Sequence, residues 1–228
     1  MSDGKIRIFS LGDSALTVEF GKTISRTLNK KAIALSDFFE RNPFPGFVES
    51  VPAYSSTTVF YDLLTVRRNF PAFPTAFEAV RNLAAEAINN LNVTQTRSSQ
   101  TVEIPFHIDA ESALDLEFVA ESSGLSPEKV IEIFTGTIYR VFMLGFLPGF
   151  SYMGEVDDRI ATRRRDTPRV RIPKGSVGIA GKQTGIYSLE SPGGWQIIGR
   201  TDLEMFTPNA ETPSLLKPGD QVRFIAIK

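Results

Sequence analysis

Polar side chains that suit an anionic ligand are concentrated between residues 169 and 200. Arg169 and Arg171 lie two positions apart, so they share one face of any strand. The polar residues that follow them are Lys174, Gln183, Thr184, Tyr187, Ser191 and Arg200. Guanidinium groups bind carboxylates and phosphates, and side-chain amides and hydroxyls can orient an amide. The pattern predicts a site for a small anion that carries an amide, although outward, solvated strand positions would give the same spacing.

Glycines recur every few residues through this region, although glycine contributes no side-chain packing to a strand. They suit either the corners of a small barrel or a backbone that approaches a ligand closely. The single tryptophan, Trp195, follows a Pro-Gly-Gly turn in SPGGW. We predict a position on the barrel rim for it, because Gly193 and Gly194 allow a turn there in place of a buried mid-strand position. The alternative is a core position, because strand alternation lets Trp195 and Ile197 share the inward face.

Several familiar catalytic arrangements are missing from the sequence. In GSVGIAGKQTG, five residues separate Gly175 from Gly181 where a phosphate loop has four, and Gln183 replaces the Ser or Thr that holds magnesium. A Ser-His-Asp triad would depend on His107, and no GxSxG motif presents a serine. We expect His107 to make a structural hydrogen bond. The tri-arginine run 163–165 is more typical of an exposed loop, and no spacing pairs the carboxylates Glu155, Asp157, Asp158 and Glu190.

Composition excludes further classes of function. The chain has 228 residues, a formal charge of −1, no cysteine and one histidine. Nucleic-acid binding is not expected, because it needs an excess of Lys and Arg, and neither a thiolate nor a multi-histidine metal site can form. No apolar run reaches the roughly 20 residues of a membrane span, and the first residues lack the apolar stretch of a secretory signal. We therefore expect a cytoplasmic protein without a metal or a membrane role.

Periodicity divides the chain into two predicted domains, 1–95 and 96–228. In the first, two strands around Gly12, a helix from about Ile24 to Phe39, two more strands over 48–64 and a helix capped by Thr75 form a small α/β domain. The polar stretch 92–100 is typical of a linker. In the second, a strand starts at Thr101 and two short helices follow. From Ile138 onward, strand-like runs broken by Gly and Pro predict a compact β barrel or sandwich.

The run from Gly145 to Thr201, GFLPGFSYMGEVDDRIATRRRDTPRVRIPKGSVGIAGKQTGIYSLESPGGWQIIGRT, resembles the signature of the KipI family. That family includes allophanate hydrolase subunit 1 and the B subunit of 5-oxoprolinase. The weaker features GDSALTVEF near the start and IPF at the second domain extend the resemblance over most of the chain. Ser151 and Arg163 replace prolines that are usual in the family, and the segment FHIDAESALDL replaces a glycine-bearing one, which leaves the substrate preference open.

The resemblance implies an α+β fold in which a small α/β N-terminal domain precedes a cyclophilin-like β-barrel domain. It also implies that the protein is inactive alone and works with a larger KipA-type partner, the C subunit of 5-oxoprolinase, and with a third protein, the A subunit. Such a complex opens the lactam of 5-oxoproline to glutamate at the expense of ATP. The family match does not identify catalytic residues.

Within that implied function, Arg169 and Arg171 would hold a substrate carboxylate or a phosphate. Gln183, Thr184 and Tyr187 would orient the amide, and the SPGGW turn would form one wall, with Trp195 against the ligand or the partner. Ser191 and Arg200 complete the predicted binding residues. Two alternatives stay open: inhibition of a sensor histidine kinase by contact, and a role in allophanate or urea metabolism.

Overall fold

The computed structural model describes residues 5–91 and 99–227, which form two compact units, Met1–Ser98 and Ser99–Lys228. Most of the predicted linker, residues 92–98, lies outside the described residues. Each unit has its own buried apolar cluster, and the second unit has an additional small one.

The first unit is built on a four-stranded antiparallel sheet. Its strands are β1 (Arg7–Ser10), β2 (Ala15–Glu19), β3 (Phe47–Pro52) and β4 (Ser56–Tyr61), in the order β1-β2-β4-β3. Because β2 and β3 both run antiparallel to β4, they are parallel to each other, with β4 inserted between them. The βαβ-like alternation in the sequence therefore produces a split βαβ unit and not a parallel pair.

Three helices belong to this unit: α1 (Arg26–Arg41), α2 (Leu63–Asn69) and α3 (Ala76–Asn89). The Thr75 side chain accepts a hydrogen bond from the Glu78 N–H at 3.1 Å, which confirms the predicted helix start. The short helix α2 was not predicted, because the apolar residues of YDLL continue the strand pattern. Its start depends on Asp62, whose carboxylate accepts the Thr65 N–H at 2.7 Å.

The second unit contains two short helices, α4 (Leu116–Ser123) and α5 (Pro127–Thr135), as the sequence predicts. Gly124 ends α4 in the left-handed conformation at φ 64°, which glycine adopts without steric cost. Ser126 caps α5, and Pro127 takes the first helical position. The ends of these helices are therefore marked by local sequence.

The remaining strands form a closed seven-stranded barrel with the order β10-β7-β6-β13-β5-β12-β9. The barrel strands are β5 (Thr101–His107), β6 (Ile138–Leu144), β7 (Ser151–Gly154), β9 (Ser176–Ala180), β10 (Gln183–Ile186), β12 (Gln196–Arg200) and β13 (Gln221–Ile227). A separate two-stranded sheet pairs β8 (Arg169–Ile172) with β11 (Ser191–Gly193). The predicted α+β fold with a C-terminal barrel is confirmed. No helix within the described residues is both long and apolar enough to cross a bilayer.

Candidate functional site

A pocket of about 300 Å³ opens beside the two-stranded sheet of the second unit, and we call it the aromatic pocket. Its lining is mainly aromatic and backbone, with one charged side chain. The lining residues are Phe146, Phe150, Tyr152, Arg164, Pro168, Tyr187, Pro192, Gly193, Gly194 and Trp195. Pockets that are mostly apolar and hold a few placed polar groups are typical of small-molecule sites. This pocket is the candidate functional site.

Trp195 lies under the aromatic pocket and not on an exposed rim. Its side chain is packed in a small buried cluster, and only 5% of the residue is exposed. Its ring meets Phe150 edge to face at 5.6 Å and Tyr152 at 5.9 Å. The predicted rim position is therefore corrected: the Trp belongs to the core alternative, and one side of it still lines the pocket.

The glycine at position 185 explains part of the glycine density. A Cβ at Gly185 would lie 3.1 Å from the indole of Trp195 and 2.8 Å from the Ser151 carbonyl oxygen. Only a residue without a side chain leaves room for the ring there. The packing of Trp195 between strands, and not only a ligand, requires this glycine.

Tyr187 forms a second wall of the aromatic pocket. Burial raises the pKa of its phenol to about 12, although a hydrogen bond with the Trp195 backbone lowers that pKa in part. The phenol is neutral at physiological pH, so it can donate or accept a hydrogen bond. A Cβ at Gly193 would lie 2.3 Å from the Tyr187 hydroxyl. Gly193 therefore permits the close approach of the SPGG backbone to this phenol.

Phe146 stands at the open side of the pocket, 60% exposed, with φ at 66°. A left-handed backbone is unfavourable for a bulky residue and is found where surrounding structure enforces it. The ring meets Phe150 and Tyr187 edge to face at 5.5 Å and 6.4 Å. Phe146 is not predicted as a site residue from the sequence, because nothing local in GFLPGF indicates a positive φ at this phenylalanine.

Arg169, predicted to hold a ligand carboxylate, instead binds a carboxylate of the protein itself. Its two terminal nitrogens donate to Asp115 at 2.7 Å each. Asp115 is 3% exposed at its side chain and also accepts from Arg165 at 2.8 Å and from the Ile197 N–H at 2.7 Å. The pair was hidden from sequence reasoning because 54 residues separate Arg169 from Asp115.

Arg171 is also paired, at 2.6 Å from Glu190, but it is 76% exposed at the side chain. Neither it nor Arg169 lines the aromatic pocket. The two arginines share β8, as their spacing indicates, yet each has a carboxylate partner in the chain. Of the predicted binding residues, Tyr187, Gly193, Gly194 and Trp195 are the ones that line this pocket.

The other predicted residues lie on neighbouring strands outside the lining. Gln183 and Thr184 begin β10, and the Thr184 hydroxyl donates to the Gly178 carbonyl oxygen at 2.9 Å, inside the sheet. Ser191 is buried on β11, and its hydroxyl has no hydrogen-bond partner within the described part of the chain. Arg200 ends β12 opposite His107. Ligand binding by these residues stays a prediction.

Arg164 is the one charged residue among the pocket's lining residues, whereas the tri-arginine run 163–165 predicts an exposed loop. Its guanidinium lies over the Trp195 ring at 5.7 Å from the centroid. Burial raises the pKa of Tyr152, and the Arg164 charge opposes that rise. Among residues 5–91 and 99–227, no carboxylate pairs with Arg164, whereas Arg163 and Arg165 are both paired. The spacing of RRR does not indicate which of the three faces a pocket.

The near-match to a phosphate loop is a β-hairpin. Residues 176–186 form β9 and β10, joined at Gly181 with φ at 60°. The His107 ring contacts the Asp202 carboxylate at 2.9 Å, in keeping with a structural role. Within the described residues, no cluster of His, Asp and Glu could hold a metal ion. The aromatic pocket, with its ring-rich lining and the Arg164 guanidinium, suits binding of a small, partly apolar anion.

Comparison with known proteins gives consistent matches. The family described as "Carboxyltransferase domain, subdomain C and D" matches residues 6–216. The chain is 44% identical to the B subunit of 5-oxoprolinase from Bacillus subtilis (strain 168), over 98% of this chain and 93% of that protein. It superimposes on the crystal structure of TTHA0988 with a TM-score of 0.80 and 37% identity, covering 94% of this chain and 40% of that one.

A more distant match is the Kluyveromyces lactis urea carboxylase, with a TM-score of 0.74 and 20% identity. It covers 98% of this chain and 22% of the carboxylase chain. At this identity the likeness concerns the fold alone. This chain thus has the fold of a segment that is also found within much longer proteins.

Proposed function

Because the chain belongs to the carboxyltransferase-domain subdomain C and D family, and within it to the KipI-type proteins that include the B subunit of 5-oxoprolinase, we propose that it is one component of an ATP-dependent 5-oxoprolinase. The observation that carries the proposal is the near full-length match to a protein of that name. The complex would contain a KipA-type partner, the C subunit, together with a third protein, the A subunit. The chain would be inactive alone.

The aromatic pocket is the site that we assign to the substrate in this proposal. A five-membered lactam ring fits a lining of aromatic side chains, which contribute large apolar contact areas. Tyr187 offers a neutral phenol to the lactam amide, since burial keeps its pKa far above 7. The backbone of Gly193 and Gly194 lines the same pocket without side chains in the way.

The chemistry of the proposed reaction requires an activated amide. A lactam carbonyl is a poor electrophile, so transfer of the γ-phosphoryl group of ATP to the lactam oxygen would prepare the carbon for attack by water. Water then adds to that carbon and the C–N bond breaks, with a proton passing to the leaving nitrogen, which gives the γ-acyl phosphate of glutamate. A second water hydrolyses this acyl phosphate to glutamate and phosphate. Groups that stabilise negative charge at the reacting oxygen would lower this barrier. ATP enters as a substrate of the complex, and we assign its binding to no residue of this chain.

The test compares this chain alone with the reconstituted complex. We expect ATP hydrolysis that depends on 5-oxoproline only when the two partner proteins are present. Appreciable turnover by the single chain would contradict its role as one component of a complex. Activity with allophanate in place of 5-oxoproline would favour the urea-metabolism alternative, and inhibition of a sensor kinase without turnover would favour the inhibitor alternative.

A further inference from the structure

We propose that Arg164 binds the carboxylate of the substrate in the aromatic pocket, and that the buried carboxylate of Asp115 holds the segment around Arg164 in place. This inference rests on the proposed function, because it names the residue that recognises the carboxylate of 5-oxoproline. It differs from the sequence-based assignment of that role to Arg169 and Arg171. Arg164 would act as a specificity-determining residue, and Asp115 as a positioning residue.

The distribution of charged residues around the pocket favours Arg164 as the group that binds the carboxylate. The other lining residues of the aromatic pocket are aromatic, proline or glycine, so the Arg164 charge has no acidic neighbour in the lining. The arginines next to it and those on β8 already bind a carboxylate: Arg163 binds Asp166, Arg165 and Arg169 bind Asp115, and Arg171 binds Glu190. Arg200 lies outside the pocket lining. A guanidinium that no carboxylate of the described chain neutralises, beside an apolar pocket, favours a ligand that combines a ring with a carboxylate.

The cation–π contact between the Arg164 guanidinium and the Trp195 ring also favours this role. A guanidinium that lies over an aromatic face uses that face for a cation–π contact, and its N–H groups point outward in its own plane. Those N–H groups stay available for a two-point contact with a carboxylate. This contact also narrows the range of positions that the long side chain can adopt. Trp195 thus orients the cation as well as lining the pocket.

The backbone on both sides of Arg164 is also fastened to the SPGGW segment. The Gln196 amide donates to the Arg163 carbonyl oxygen at 3.0 Å. The Arg165 N–H donates to the Gly194 carbonyl oxygen at 2.8 Å. Arg164 therefore sits on a segment whose two neighbours are tied to the strand and turn that carry Trp195. These two hydrogen bonds restrict the backbone on both sides of Arg164, so the guanidinium is held beside the pocket.

Asp115 connects these parts from the end of a helix. Its carboxylate accepts from the side chains of Arg165 and Arg169 and from the Ile197 N–H, and its own N–H donates to the Ile197 carbonyl oxygen at 2.7 Å. A buried carboxylate loses hydration, so these hydrogen bonds are needed to keep it there. The same contacts lock the residue after Arg164 against the strand after Trp195. Asp115 thereby controls the position of Arg164 without touching the ligand.

The test uses the reconstituted complex and two lactams that differ only in the carboxylate, 5-oxoproline and 2-pyrrolidinone. We compare their kcat/KM values by lactam-dependent ATP hydrolysis in the wild type and in Arg164→Gln. We expect Arg164→Gln to raise the KM for 5-oxoproline roughly tenfold to a hundredfold, as for loss of a charge-assisted hydrogen-bond pair, with a much smaller change in kcat. The preference for 5-oxoproline over 2-pyrrolidinone should fall by the same factor.

A matched control is Arg159→Gln, since Arg159 is an exposed arginine paired with Asp157 and lies outside the pocket lining. It should keep the wild-type preference. If Arg164→Gln keeps that preference while the wild-type complex is active, the Arg164 assignment is overturned and the proposed function stands. Collapse of the preference in Arg171→Gln instead would restore the sequence-based assignment. A wild-type complex without 5-oxoproline-dependent activity would overturn the proposed function itself, and this inference with it.

Asp115→Asn tests the positioning role and removes the charge while keeping the shape. We expect a loss of several-fold in the preference for 5-oxoproline, and no further loss when Asp115→Asn is added to Arg164→Gln. A purely structural role would reduce the rates with both lactams equally and leave their ratio unchanged, which would contradict the proposal. Melting temperatures of the single and double variants separate lost stability from lost recognition.

Discussion

Two aromatic clusters in the second unit show that the same residue types can serve opposite purposes. The first cluster is fully buried between α5 and the barrel, and it contains Phe134 of the helix and the barrel residues Phe106, Tyr139 and Phe224. The Phe134 and Phe224 rings lie 4.9 Å apart. The Tyr139 hydroxyl donates to the Phe134 carbonyl oxygen at 2.9 Å. The phenol of this cluster is thus satisfied internally, and the cluster is closed to ligands.

The second cluster, around Phe150, Tyr187 and Trp195, is equally rich in rings but has an open side. Phe146 covers that side only partly, and Arg164 borders it with a charge that no lining residue compensates. Aromatic density therefore does not identify a site. The second cluster differs from the first by an open edge, a strained residue and an uncompensated cation beside the rings, and each of these is costly unless a ligand or partner uses it.

The largest expected effect is on the closed cluster. Phe134→Ala should lower the free energy of unfolding by about 3–5 kcal/mol, because it removes a fully buried ring and leaves a cavity. Urea denaturation monitored by circular dichroism measures this loss. The control is Phe146→Ala, at a 60% exposed residue, where we expect a change within about 0.5 kcal/mol. Equal losses in the two variants would contradict the distinction between the clusters.

A smaller loss of stability, combined with a loss of function, is expected for Trp195→Ala. The residue is 5% exposed, so truncation should cost about 3 kcal/mol, the lower end for a buried tryptophan, since one side already faces the pocket. The KM for 5-oxoproline should also rise, because Arg164 loses the ring beneath it. Trp195→Phe should recover part of both. A Trp195→Ala variant as stable as the wild type would contradict the core position of this residue and favour the rim position.

Gly193→Ala should cost about 1–3 kcal/mol by overpacking, since its new Cβ would lie 2.3 Å from the Tyr187 hydroxyl. Removing that hydroxyl in Gly193→Ala/Tyr187→Phe should recover part of the loss, and a thermodynamic double-mutant cycle measures the coupling. The matched control is Gly194→Ala, whose Cβ would meet nothing closer than 3.6 Å. If Gly194→Ala is the more damaging change, the close approach at Gly193 is not what constrains this turn.

The smallest expected effect is a dependence of stability on alkaline pH. The pKa of Tyr187 is raised to about 12 from 10.0, so the unfolded chain loses this proton first as the pH rises. The contribution of the protonated Tyr187 phenol to the free energy of unfolding is complete below about pH 10 and is lost as the pH approaches 12. Over that interval the free energy of unfolding falls by no more than about 1.4 kcal/mol per pH unit. Tyr187→Phe should flatten the fall in unfolding free energy over pH 10–12. An unchanged slope would show that Tyr187 ionises normally.

Local patterns in the sequence determined most of the elements. The caps at Thr75, Ser126 and Gly124 lie where the structure has them, because a cap involves residues within one helical turn. The barrel follows from strand-like runs between Gly and Pro turns. The helix α2 was missed, since its first residues, Leu63 and Leu64, continue the apolar strand pattern beyond the capping residue Asp62.

The family and the region of the candidate site were also available from the sequence, since GFLPGF and SPGGW are contiguous motifs that both contribute to the aromatic pocket. Which arginine serves that pocket was decided only by the tertiary structure. Asp115 lies 50 residues from Arg165 and 54 from Arg169 in the chain, and its carboxylate pairs with both. Arg164 is left without a carboxylate partner in the described chain and lies over Trp195. Charge pairing depends on distances between atoms in the folded protein, and spacing along one strand specifies only which residues share a face.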